Sequence, residues 1–532
     1  MPSEDLVFFT AQYDFLARRN FFLAWLQQSV ISALGPESLL QLPPGSGRNL
    51  WGVHAYAEDD PEALPIKSPH RHMYPTIMIT SRPLGRAAFP LIRHASTRHR
   101  QAAPAAIPLS PASAHAAPPA QKYTFIKQLT THNLLCYTLL NIVTSNTLLL
   151  RAAIKTIPYT PNWLVKSLVY PIYCGGTDFQ EVRENARKLL DRGIGNQMLS
   201  YSVEDANGTL SGDIFNTVVS TTCESIPEVL VKHSILSEQL FESGEVPTAP
   251  ASGYIALKPT GLMEGATRAL EHFDKPEYAE LWSAYLQKCR EICQYAVDHG
   301  SDRSVIVFDA EKKWLQDGVY EAQRQMMKEF NRDGKVIVCG TIQMYLKESL
   351  GLLTREVELA KQDNYTVAFK LVRGAYLHSE PDRNVIHDTQ ADTDASYNAG
   401  CNLMMDEIVE TWRTNKAGPV GRLIVASHND HSIDMVSSRI SRDAPLGLDL
   451  HKDESIVFGQ LMGMREDIGV KLANQNRKVI KYVPWGPVKE TKEYLKRRLE
   501  ENGDAARSST AELLACVKEL MGRFTGQFKS QA

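Results

Sequence analysis

Two adjacent arginines near the carboxyl terminus are the residues whose types and spacing point most directly to binding chemistry. Arg497 and Arg498 lie in the stretch YLKRRLEENGD, between an aromatic residue and a glutamate. Paired guanidinium groups can hold a carboxylate through bidentate hydrogen bonds. Glu501, four residues after the first arginine and three after the second, can pair with both on a helix. The pair therefore predicts an anion site, and the alternative is an ordinary salt-bridged surface helix.

Other uncommon polar residues follow short apolar runs of the chain. Their side chains are amines, carboxylates, amides, hydroxyls and an imidazole, groups that bind and orient small polar ligands. They are Lys258, Asp309, Glu311, Gln343, Lys370, Arg373, Tyr376, Ser427, His428, Asn429, Gln460 and Tyr482. A single member would be unremarkable, and a lone histidine such as His428 is more often structural. Their recurrence indicates that the ends of these runs meet at one site.

Eight apolar runs precede or contain these residues: 197–203, 254–259, 304–309, 335–341, 366–372, 422–427, 455–460 and 478–483. All but the first are rich in β-branched or aromatic residues, as strands buried on both faces are. Helical patterns lie between them, most clearly at 313–331, 343–362, 401–415 and 487–502. The long connection 204–253 leaves room for an inserted helical pair. Eight βα units predict an α/β fold, a distorted (β/α)8 TIM-type barrel with its chemistry at the carboxyl ends of the strands.

The arginine pair falls on the helix after the eighth strand, which we expect to end at Gly503. At about 100° per residue, one apolar face should pack on the barrel; its residues are Val488, Leu495 and Leu499. A mixed flank is predicted to be solvated, and it comprises Lys489, Lys492, Glu493, Lys496 and Glu500. Tyr494, the arginines and Glu501 lie beside the core face instead. We therefore expect these residues to lie near the barrel mouth.

The segments before the barrel differ sharply in charge. Residues 1–62 carry 3 basic and 8 acidic side chains, whereas residues 63–177 carry 12 Lys/Arg and no Asp or Glu. Within the acid-free block, residues 73–100 mix apolar residues with arginines and hydroxyls, which is typical of a mitochondrial transit peptide. Either Met73 is the true start, or residues 1–72 are an extension that the sequence does not explain. A basic segment can also bind nucleic acid, but no folded motif surrounds this one, so we expect no nucleic-acid partner.

The remaining domain boundaries follow composition. Residues 101–125 are an Ala/Pro-rich linker without a core, and residues 126–176 are predicted to form an N-terminal helical segment. Within that segment, residues 133–150 are uncharged, but their number is borderline for a membrane span and they include polar residues. We favour a helix that packs on the domain or lies at a membrane surface. The barrel domain is predicted to occupy 177–506, and residues 507–532 a tail helix.

The cysteines and the glycines exclude several classes of site. The eight cysteines are scattered, and only Cys289 and Cys293 are close, without neighbouring histidines. This spacing predicts reduced thiols in an intracellular compartment, with neither a metal site nor a disulfide framework. No G-x-G-x-x-G follows a predicted strand and no P-loop is present. A Rossmann dinucleotide fold is therefore not supported.

Eight motifs in chain order carry a family resemblance: CGGTDFQEVRENARKLLDRGIG, ALKPTGL, FDAE, TIQMYLK, KLVRGAY, ASHN, FGQLMGM and YVPWGPVKETKEYLKRRLEENG. Together they resemble those of the proline dehydrogenases, the FAD enzymes of proline catabolism. The match runs from about Tyr173 to Asp504. With no aldehyde dehydrogenase module beside these motifs, the chain is most similar to the single-function mitochondrial form.

The resemblance implies a set of residues for binding L-proline: Glu204, Lys258, Asp309, Tyr376, Leu461, Tyr482, Tyr494, Arg497, Arg498 and Glu501. By this resemblance, Arg497 and Arg498 hold the substrate carboxylate, with Lys258 as a third cation. The tyrosines and the leucine line the ring pocket. Asp309 and Glu501 orient the basic groups, and Glu204 gates the site by pairing with the arginine helix.

The resemblance also implies an FAD site, with the isoalloxazine ring over the strand ends. The implied residues are Gln343, Lys370, Val372, Gly374, Ala375, Ser427, His428, Asn429 and Gln460. Lys370 stands where many family members have an arginine that tunes the flavin. Ser200 replaces an acidic residue that is common after the first strand.

The implied reaction is oxidation of L-proline to Δ1-pyrroline-5-carboxylate, with electrons passing from FAD to ubiquinone. The implied location is the matrix side of the mitochondrial inner membrane, with peripheral membrane association. Closure of the arginine helix as a lid would exclude water, which disfavours the ammonium form of the substrate and strengthens the ion pair to its carboxylate.

Three alternatives remain at this point. A hydroxyproline dehydrogenase of the same family is disfavoured by Tyr482, where members that prefer hydroxyproline have a smaller residue. Another flavin barrel enzyme, methylenetetrahydrofolate reductase, would not need the arginine pair. A non-catalytic flavin-binding or membrane-scaffolding barrel is the third, and no broken site supports it.

Overall fold

The computed structural model describes residues 123–201, 212–377, 380–505 and 510–525. All of them belong to one compact unit. The predicted extension and transit peptide, most of the predicted linker, and Glu204 lie outside the described residues, and so does the side chain of Glu501.

Eight parallel strands close into a barrel in chain order, and β1 pairs with β8. They are β1 (Asn196–Tyr201), β2 (Gly253–Leu257), β3 (Ser304–Phe308), β4 (Val338–Gln343), β5 (Val367–Val372), β6 (Val420–Ala426), β7 (Ile456–Leu461) and β8 (Lys478–Trp485). Along each strand the side chains alternate between two cores. Met198 and Tyr254 belong to the cluster inside the barrel, whereas Leu199 and Ile255 pack between the barrel and its helices. The predicted α/β, TIM-type (β/α)8 barrel is confirmed.

Helices surround the barrel and precede it. The N-terminal helices are α1 (Phe125–Gln128), α2 (Thr131–Ser145), α3 (Thr147–Thr156), α4 (Asn162–Leu168) and α5 (Tyr170–Tyr173), followed by α6 (Phe179–Leu190). The insertion after β1 holds α7 (Ile214–Ser225) and α8 (Lys232–Glu242), joined by a π-helical turn. The others are α9 (Ala266–Glu271), α10 (Ala279–His299), α11 (Lys313–Phe330), α12 (Ser349–Asp363), α13 (Gln390–Thr414), α14 (Asp430–Asp443), α15 (Glu466–Asn474), α16 (Val488–Ala505) and α17 (Thr510–Phe524).

All eight predicted strands are present, but some boundaries differ from the prediction. β4 begins at Val338 rather than 335, because the Asn331 side chain accepts hydrogen bonds from the backbone N–H groups of Ile337 and Val338. α13 begins at Gln390 rather than 401, because Thr389 starts it with a capping box. These side-chain caps override the apolar pattern from which the boundaries were predicted.

The apolar face of α16 packs differently from the prediction. Val488, Leu495 and Leu499 are buried in a cluster formed mostly by residues of the N-terminal helices and α17, with smaller contributions from α15 and β8 of the barrel. The flank of α16 that was predicted to face solvent is only partly solvent-exposed, because Lys492 Nζ donates to the backbone carbonyls of Pro158 (3.4 Å) and Thr160 (2.7 Å). The helix continues past Gly503 to Ala505. The N-terminal helices therefore support α16 from the side opposite the barrel.

The uncharged segment 133–150 is divided between two helices. Among the described residues no single helix is long and apolar enough to cross a membrane, although α2 and α3 with the turn to Tyr159 pass that test together as a pair bent by 109°. The bend lies at Asn146, whose side chain accepts from the N–H groups of Leu148 and Leu149. α2 is a core helix, because Leu134, Tyr137 and other residues along it are buried.

Candidate active site at the carboxyl ends of the strands

A cavity of about 490 Å³ opens at the carboxyl ends of the strands, beneath α16. It brings together nearly every residue predicted for the site. The predicted residues that line it are Lys258, Asp309, Gln343, Lys370, Val372, Gly374, Ala375, Tyr376, Ser427, His428, Asn429, Gln460, Leu461, Tyr482, Tyr494, Arg497 and Arg498. Three residues expected at the site are missing from this set: Glu204 and Glu501, whose side chains are not described, and Glu311, whose buried carboxylate accepts from Thr260 instead.

Asp309 lies at the centre of a buried polar network. Its carboxylate pairs with Lys370 and with Lys258 Nζ at 3.0 Å, and it accepts a hydrogen bond of 2.8 Å from the Tyr482 hydroxyl. Burial alone would raise the pKa of Asp309, but the charges of Lys370 and Lys258 lower it to about 2. The carboxylate is therefore ionised at neutral pH and can hold the two lysines in place.

Two tyrosines form an apolar wall beside this network. The rings of Tyr482 and Tyr494 are nearly parallel, with centroids 6.4 Å apart and planes at 16°. The Arg498 guanidinium lies 4.9 Å from the centroid of the Tyr494 ring, and Lys258 Nζ lies 5.9 Å from that of Tyr482. An aromatic wall flanked by cations suits a ligand with an apolar body and a carboxylate.

The charge of the cavity favours anions. Among the described residues that line it, one is acidic, Asp309, and five are basic: Lys258, Lys370, Arg373, Arg497 and Arg498. The basic residues come from β5, from the ends of β2 and β5, and from α16. An excess of positive charge in a partly buried cavity binds phosphate and carboxylate groups strongly.

The opposite wall presents buried polar atoms that have no partner among the described residues. They are Gln343 Oε1, Thr341 Oγ1 and His428 Nδ1. Gln343 Nε2 already donates to the Glu311 carbonyl at 2.8 Å, so its oxygen remains as an acceptor. Buried polar atoms without partners are costly in a folded protein. Their presence in one cavity indicates a polar ligand with both donors and acceptors.

His428 is held as a neutral hydrogen-bond donor. Its Nε2 accepts from the backbone N–H of Leu461 at 3.2 Å, so the ring proton lies on Nδ1. Burial, with the positive charges of Lys481, Arg465 and Arg498, lowers the pKa of His428 to about 3. A fixed N–H donor at neutral pH follows from this arrangement.

Arg373 positions the Ser427 hydroxyl. Arg373 Nη1 donates to Ser427 Oγ at 2.8 Å, and the Asn429 backbone N–H donates to the same oxygen at 3.1 Å. Because both of these contacts use Ser427 Oγ as acceptor, its own proton can be donated either to the neighbouring Tyr397 hydroxyl or to a ligand. Arg373 is itself held by Asp394 at 2.6 Å and stacks on the Tyr397 ring, 4.3 Å from its centroid.

The loop after β5 approaches a neighbouring side chain so closely that it requires glycine. Gly374 has φ +147°, and a Cβ atom there would lie 2.0 Å from the ring of Tyr345. Tyr345 is buried, and its backbone N–H donates to the Arg373 carbonyl at 2.7 Å. The backbone at Gly374 and Ala375 can therefore approach a ligand without side chains intervening.

Several residues of the cavity differ from the prediction or were not singled out. Gln460 lines the cavity, but its carboxamide oxygen accepts from Lys481 Nζ at 3.1 Å, beside the helix α15. The lining residues that the sequence reasoning missed are Met198, Ala310, Thr341, Gln390, Ile424, Ala426, Gly459 and Ile480. Most are inward positions of strands, and the alternation along each predicted strand was the signal that could have found them.

The lining residues fit an FAD molecule on these observations. An isoalloxazine ring offers an N–H donor and carbonyl acceptors, which match Gln343 Oε1 and the His428 and Ser427 donors. The surplus of basic residues matches a pyrophosphate. The close approach of backbone at Gly374 leaves room for a flat ring.

Comparison with known proteins identifies the family. A family model described as Proline dehydrogenase matches residues 184–511, more than half of the chain. Proline dehydrogenase 1, mitochondrial, of Dictyostelium discoideum is 28% identical over 68% of this chain and 66% of its own length. The carbapenem antibiotics biosynthesis protein CarD of Pectobacterium carotovorum is 31% identical over 69% of this chain and 87% of its own length. The hydroxyproline dehydrogenase of Xenopus laevis is 27% identical over 69% of this chain and 80% of its own length.

A solved structure shares the fold. The crystal structure of proline utilization A from Bdellovibrio bacteriovorus, inactivated by N-propargylglycine, superposes with a TM-score of 0.51 and 17% identity. The superposition covers 74% of this chain and 39% of that longer chain. The likeness concerns the barrel fold. Together with the family match along more than half of its length, these findings show that the chain belongs to the proline dehydrogenase family.

Proposed function

We propose that this chain oxidises L-proline to Δ1-pyrroline-5-carboxylate in the barrel-mouth cavity, using a bound FAD. The observation that carries the proposal is the combination of the parallel Tyr482 and Tyr494 rings with cations at both ends. Proline has the matching shape, a small apolar ring with one carboxylate. FAD would supply the hydride acceptor that no side chain of the protein can supply.

The arginines of α16 would hold the substrate carboxylate. Arg498 is largely buried on Tyr494, and Arg497 lines the same cavity. Two guanidinium forks can bind one carboxylate in a fixed orientation, which converts binding energy into positioning of the ring. Lys258 would add a third positive charge, and Asp309 would keep that lysine in place.

The tyrosine wall would hold the ring and exclude water. Removal of hydride from the ring carbon requires that the substrate nitrogen first lose its extra proton. An aromatic, largely dehydrated pocket disfavours the ammonium form, which promotes that loss. The Tyr482 hydroxyl is anchored by Asp309 at 2.8 Å and Ser200 Oγ at 2.9 Å. The ring of Tyr482 is therefore fixed where it limits substituents on the substrate.

FAD would be held by the wall opposite α16. Gln343 Oε1, His428 Nδ1 and the Ser427 hydroxyl have the donor and acceptor types that the flavin needs. Lys370, beside Asp309 and 5.5 Å from the centroid of the Tyr482 ring, would lie between the cofactor and substrate regions. The surplus basic residues would offset the pyrophosphate charge.

We propose that ubiquinone accepts the electrons, and that the protein acts as a peripheral protein on the matrix side of the mitochondrial inner membrane. The Dictyostelium relative is named as a mitochondrial enzyme, which supports the mitochondrion as the compartment. The acid-free, arginine-containing segment 73–100 supports import.

Hydroxyproline is the second candidate substrate, because one relative is named a hydroxyproline dehydrogenase. The full-sized side chain of Tyr482, fixed by two hydrogen bonds, opposes the extra hydroxyl. We therefore expect proline to be the better substrate.

Anaerobic reduction tests the proposal. The purified protein should be yellow, and excess L-proline should bleach the flavin absorbance near its visible maximum while equal concentrations of hydroxyproline or NADH bleach it far more slowly. A colourless protein would contradict the flavin site. Bleaching by hydroxyproline or NADH in preference to proline would contradict the substrate assignment.

A further inference from the structure

Large apolar side chains are exposed together on the N-terminal helices. Four of the eleven exposed large hydrophobic residues in the described part of the chain fall between 148 and 163: Leu148 (74% exposed), Leu149 (45%), Tyr159 (86%) and Trp163 (71%). Scattered exposed apolar residues are normal on a protein surface, whereas a cluster marks an interface. This cluster is therefore a candidate docking surface.

The helix α3 is exposed along most of its length. Leu150 is its one buried residue, although its sequence TLLLRAAIKT is largely apolar. The preceding helix α2 is a buried core helix of the protein, and the chain bends by 109° between the two. This geometry suits a helix that lies along a surface rather than one that crosses a bilayer.

The N-terminal helices that carry this cluster have basic side chains and no acidic ones. Residues 63–177 contain no Asp or Glu, and the cluster includes the exposed cations Arg151 and Lys155 on α3. Neither cation forms an ion pair with any residue that the structure describes. Leucines with Trp, Tyr and basic residues are the composition that binds the headgroup region of anionic membranes.

We propose that this surface, formed by Leu148, Leu149, Arg151, Lys155, Tyr159 and Trp163, docks the protein onto a bilayer that contains anionic lipids. A polyanion such as a nucleic acid would bind the two cations but would leave the apolar side chains in water. An anionic bilayer would contact the cations and the apolar side chains alike. The inference deepens the proposed peripheral membrane association and rests on the proposed function only for the identity of the quinone.

The docking surface is connected to the substrate cavity through α16. Lys492 on α16 donates to the carbonyls of Pro158 and Thr160, within the exposed segment. Arg497 follows five residues later, about 7.5 Å along the helix axis. The apolar face of α16 packs on the same N-terminal helices. Docking therefore places the helix that closes the cavity next to the bilayer, where a lipid-soluble electron acceptor resides.

Vesicle binding by the full chain tests the proposal. The wild-type protein should sediment with phosphatidylcholine vesicles containing cardiolipin and not with pure phosphatidylcholine vesicles, and salt should weaken the binding. The double variant Arg151→Gln/Lys155→Gln should bind roughly 25-fold more weakly, because each basic residue at an anionic surface contributes about a factor of five. The variant Leu148→Ser/Trp163→Ser should lose roughly 10-fold or more.

Matched variants on exposed sites elsewhere serve as controls: Lys335→Gln/Lys452→Gln for charge and Val297→Ser/Leu446→Ser for apolar area. They should bind vesicles like the wild type. Equal binding by the surface variants and these controls would overturn the proposal, as would a concentration-dependent dimer that the same variants abolish.

Activity assays separate this inference from the proposed function. Proline oxidation with a water-soluble dye as acceptor should be unchanged in the surface variants, whereas oxidation with vesicle-borne quinone should fall in parallel with vesicle binding. A protein that binds anionic vesicles through this surface but shows no proline:dye activity would contradict the proposed function and leave the docking surface supported.

Discussion

At the scale of single residues, Asp309 is the charge that organises the cavity. It contacts two lysines and the Tyr482 hydroxyl, and it is the one acidic side chain among the described lining residues. Removing one partner of a buried ion pair leaves the other charge uncompensated, which costs more than the pair itself contributes.

The substitution Asp309→Asn should therefore lower the free energy of unfolding by about 3–5 kcal/mol. The matched exposed pair is Lys347–Asp388, where Asp388→Asn should change that free energy by less than about 1 kcal/mol. Because the folded pKa of Asp309 is about 2, below its usual value, its stabilising contribution is present above about pH 4 and disappears as the pH falls towards 2. Urea unfolding at pH 7 and at low pH measures both effects, and equal destabilisation by the two variants at pH 7 would contradict the central role of Asp309.

His428 gives a prediction about pH. Its folded pKa is lowered to about 3, so the ring stays neutral in the native protein well below the value of about 6.5 that it takes in an unfolded chain. The unfolded state binds the proton first, and this residue therefore destabilises the fold as the pH drops below about 6.5. In an NMR titration of the histidine ring signals, His428 should not titrate between pH 8 and 4.5. A midpoint near 6.5 would show that the Leu461 N–H bond to Nε2 does not hold the neutral tautomer.

At the scale of elements, strand ends and the loops after them build the cavity wall where we propose that FAD binds. The loop after β5 depends on Gly374, where backbone conformation and the Tyr345 ring both exclude a side chain. Such a position is not visible in composition, because the chain has 32 glycines, and an added Cβ would meet a neighbour within 3 Å at many of the glycines that the structure describes.

The variant Gly374→Ala should fold but bind flavin about 10- to 100-fold more weakly, because the strained loop or Tyr345 must move. Gly351→Ala is the control, since a Cβ atom there meets nothing within 4 Å and alanine favours the helix α12. Flavin content per polypeptide after gel filtration measures the difference. Full flavin occupancy in Gly374→Ala would show that the loop does not contact the cofactor.

The packing partners and exact boundaries of some elements could not be predicted from the sequence. Periodicity placed Val488, Leu495 and Leu499 on one face of α16 but could not say which partner covers that face. The N-terminal helices, which lie far earlier in the chain, cover it. Strand runs were found because buried parallel strands are apolar throughout, whereas the start of β4 depends on the Asn331 carboxamide, a specific side-chain contact that the apolar pattern does not encode.

At the scale of the whole molecule, the cavity exists because a closed barrel and an external helix meet. Barrel topology explains why the sequence alone could predict that polar residues from distant strand ends meet at one site. The inward floor residues Thr341 and Ile424 were missed because inward strand positions hold mostly packing residues. Arg373 was predicted only as a polar residue at a strand end. Its side chain contacts Ser427 and also residues of α13 and α14, namely Asp394, Tyr397 and Ser432. Sequence spacing does not predict these contacts.

We propose that α16 completes the site by binding the substrate carboxylate with its arginines. The variant Arg498→Met keeps much of the side-chain volume and removes the charge, so it should raise the KM for L-proline about 10- to 100-fold, the loss expected for a charge-assisted hydrogen bond. Lys496→Met, on the same helix and outside the cavity, should change KM less than about twofold. Steady-state kinetics with a dye acceptor, with flavin content measured on the same samples, is the decisive measurement. A large rise in KM with native flavin content is the predicted result, and an unchanged KM in Arg498→Met would contradict the account.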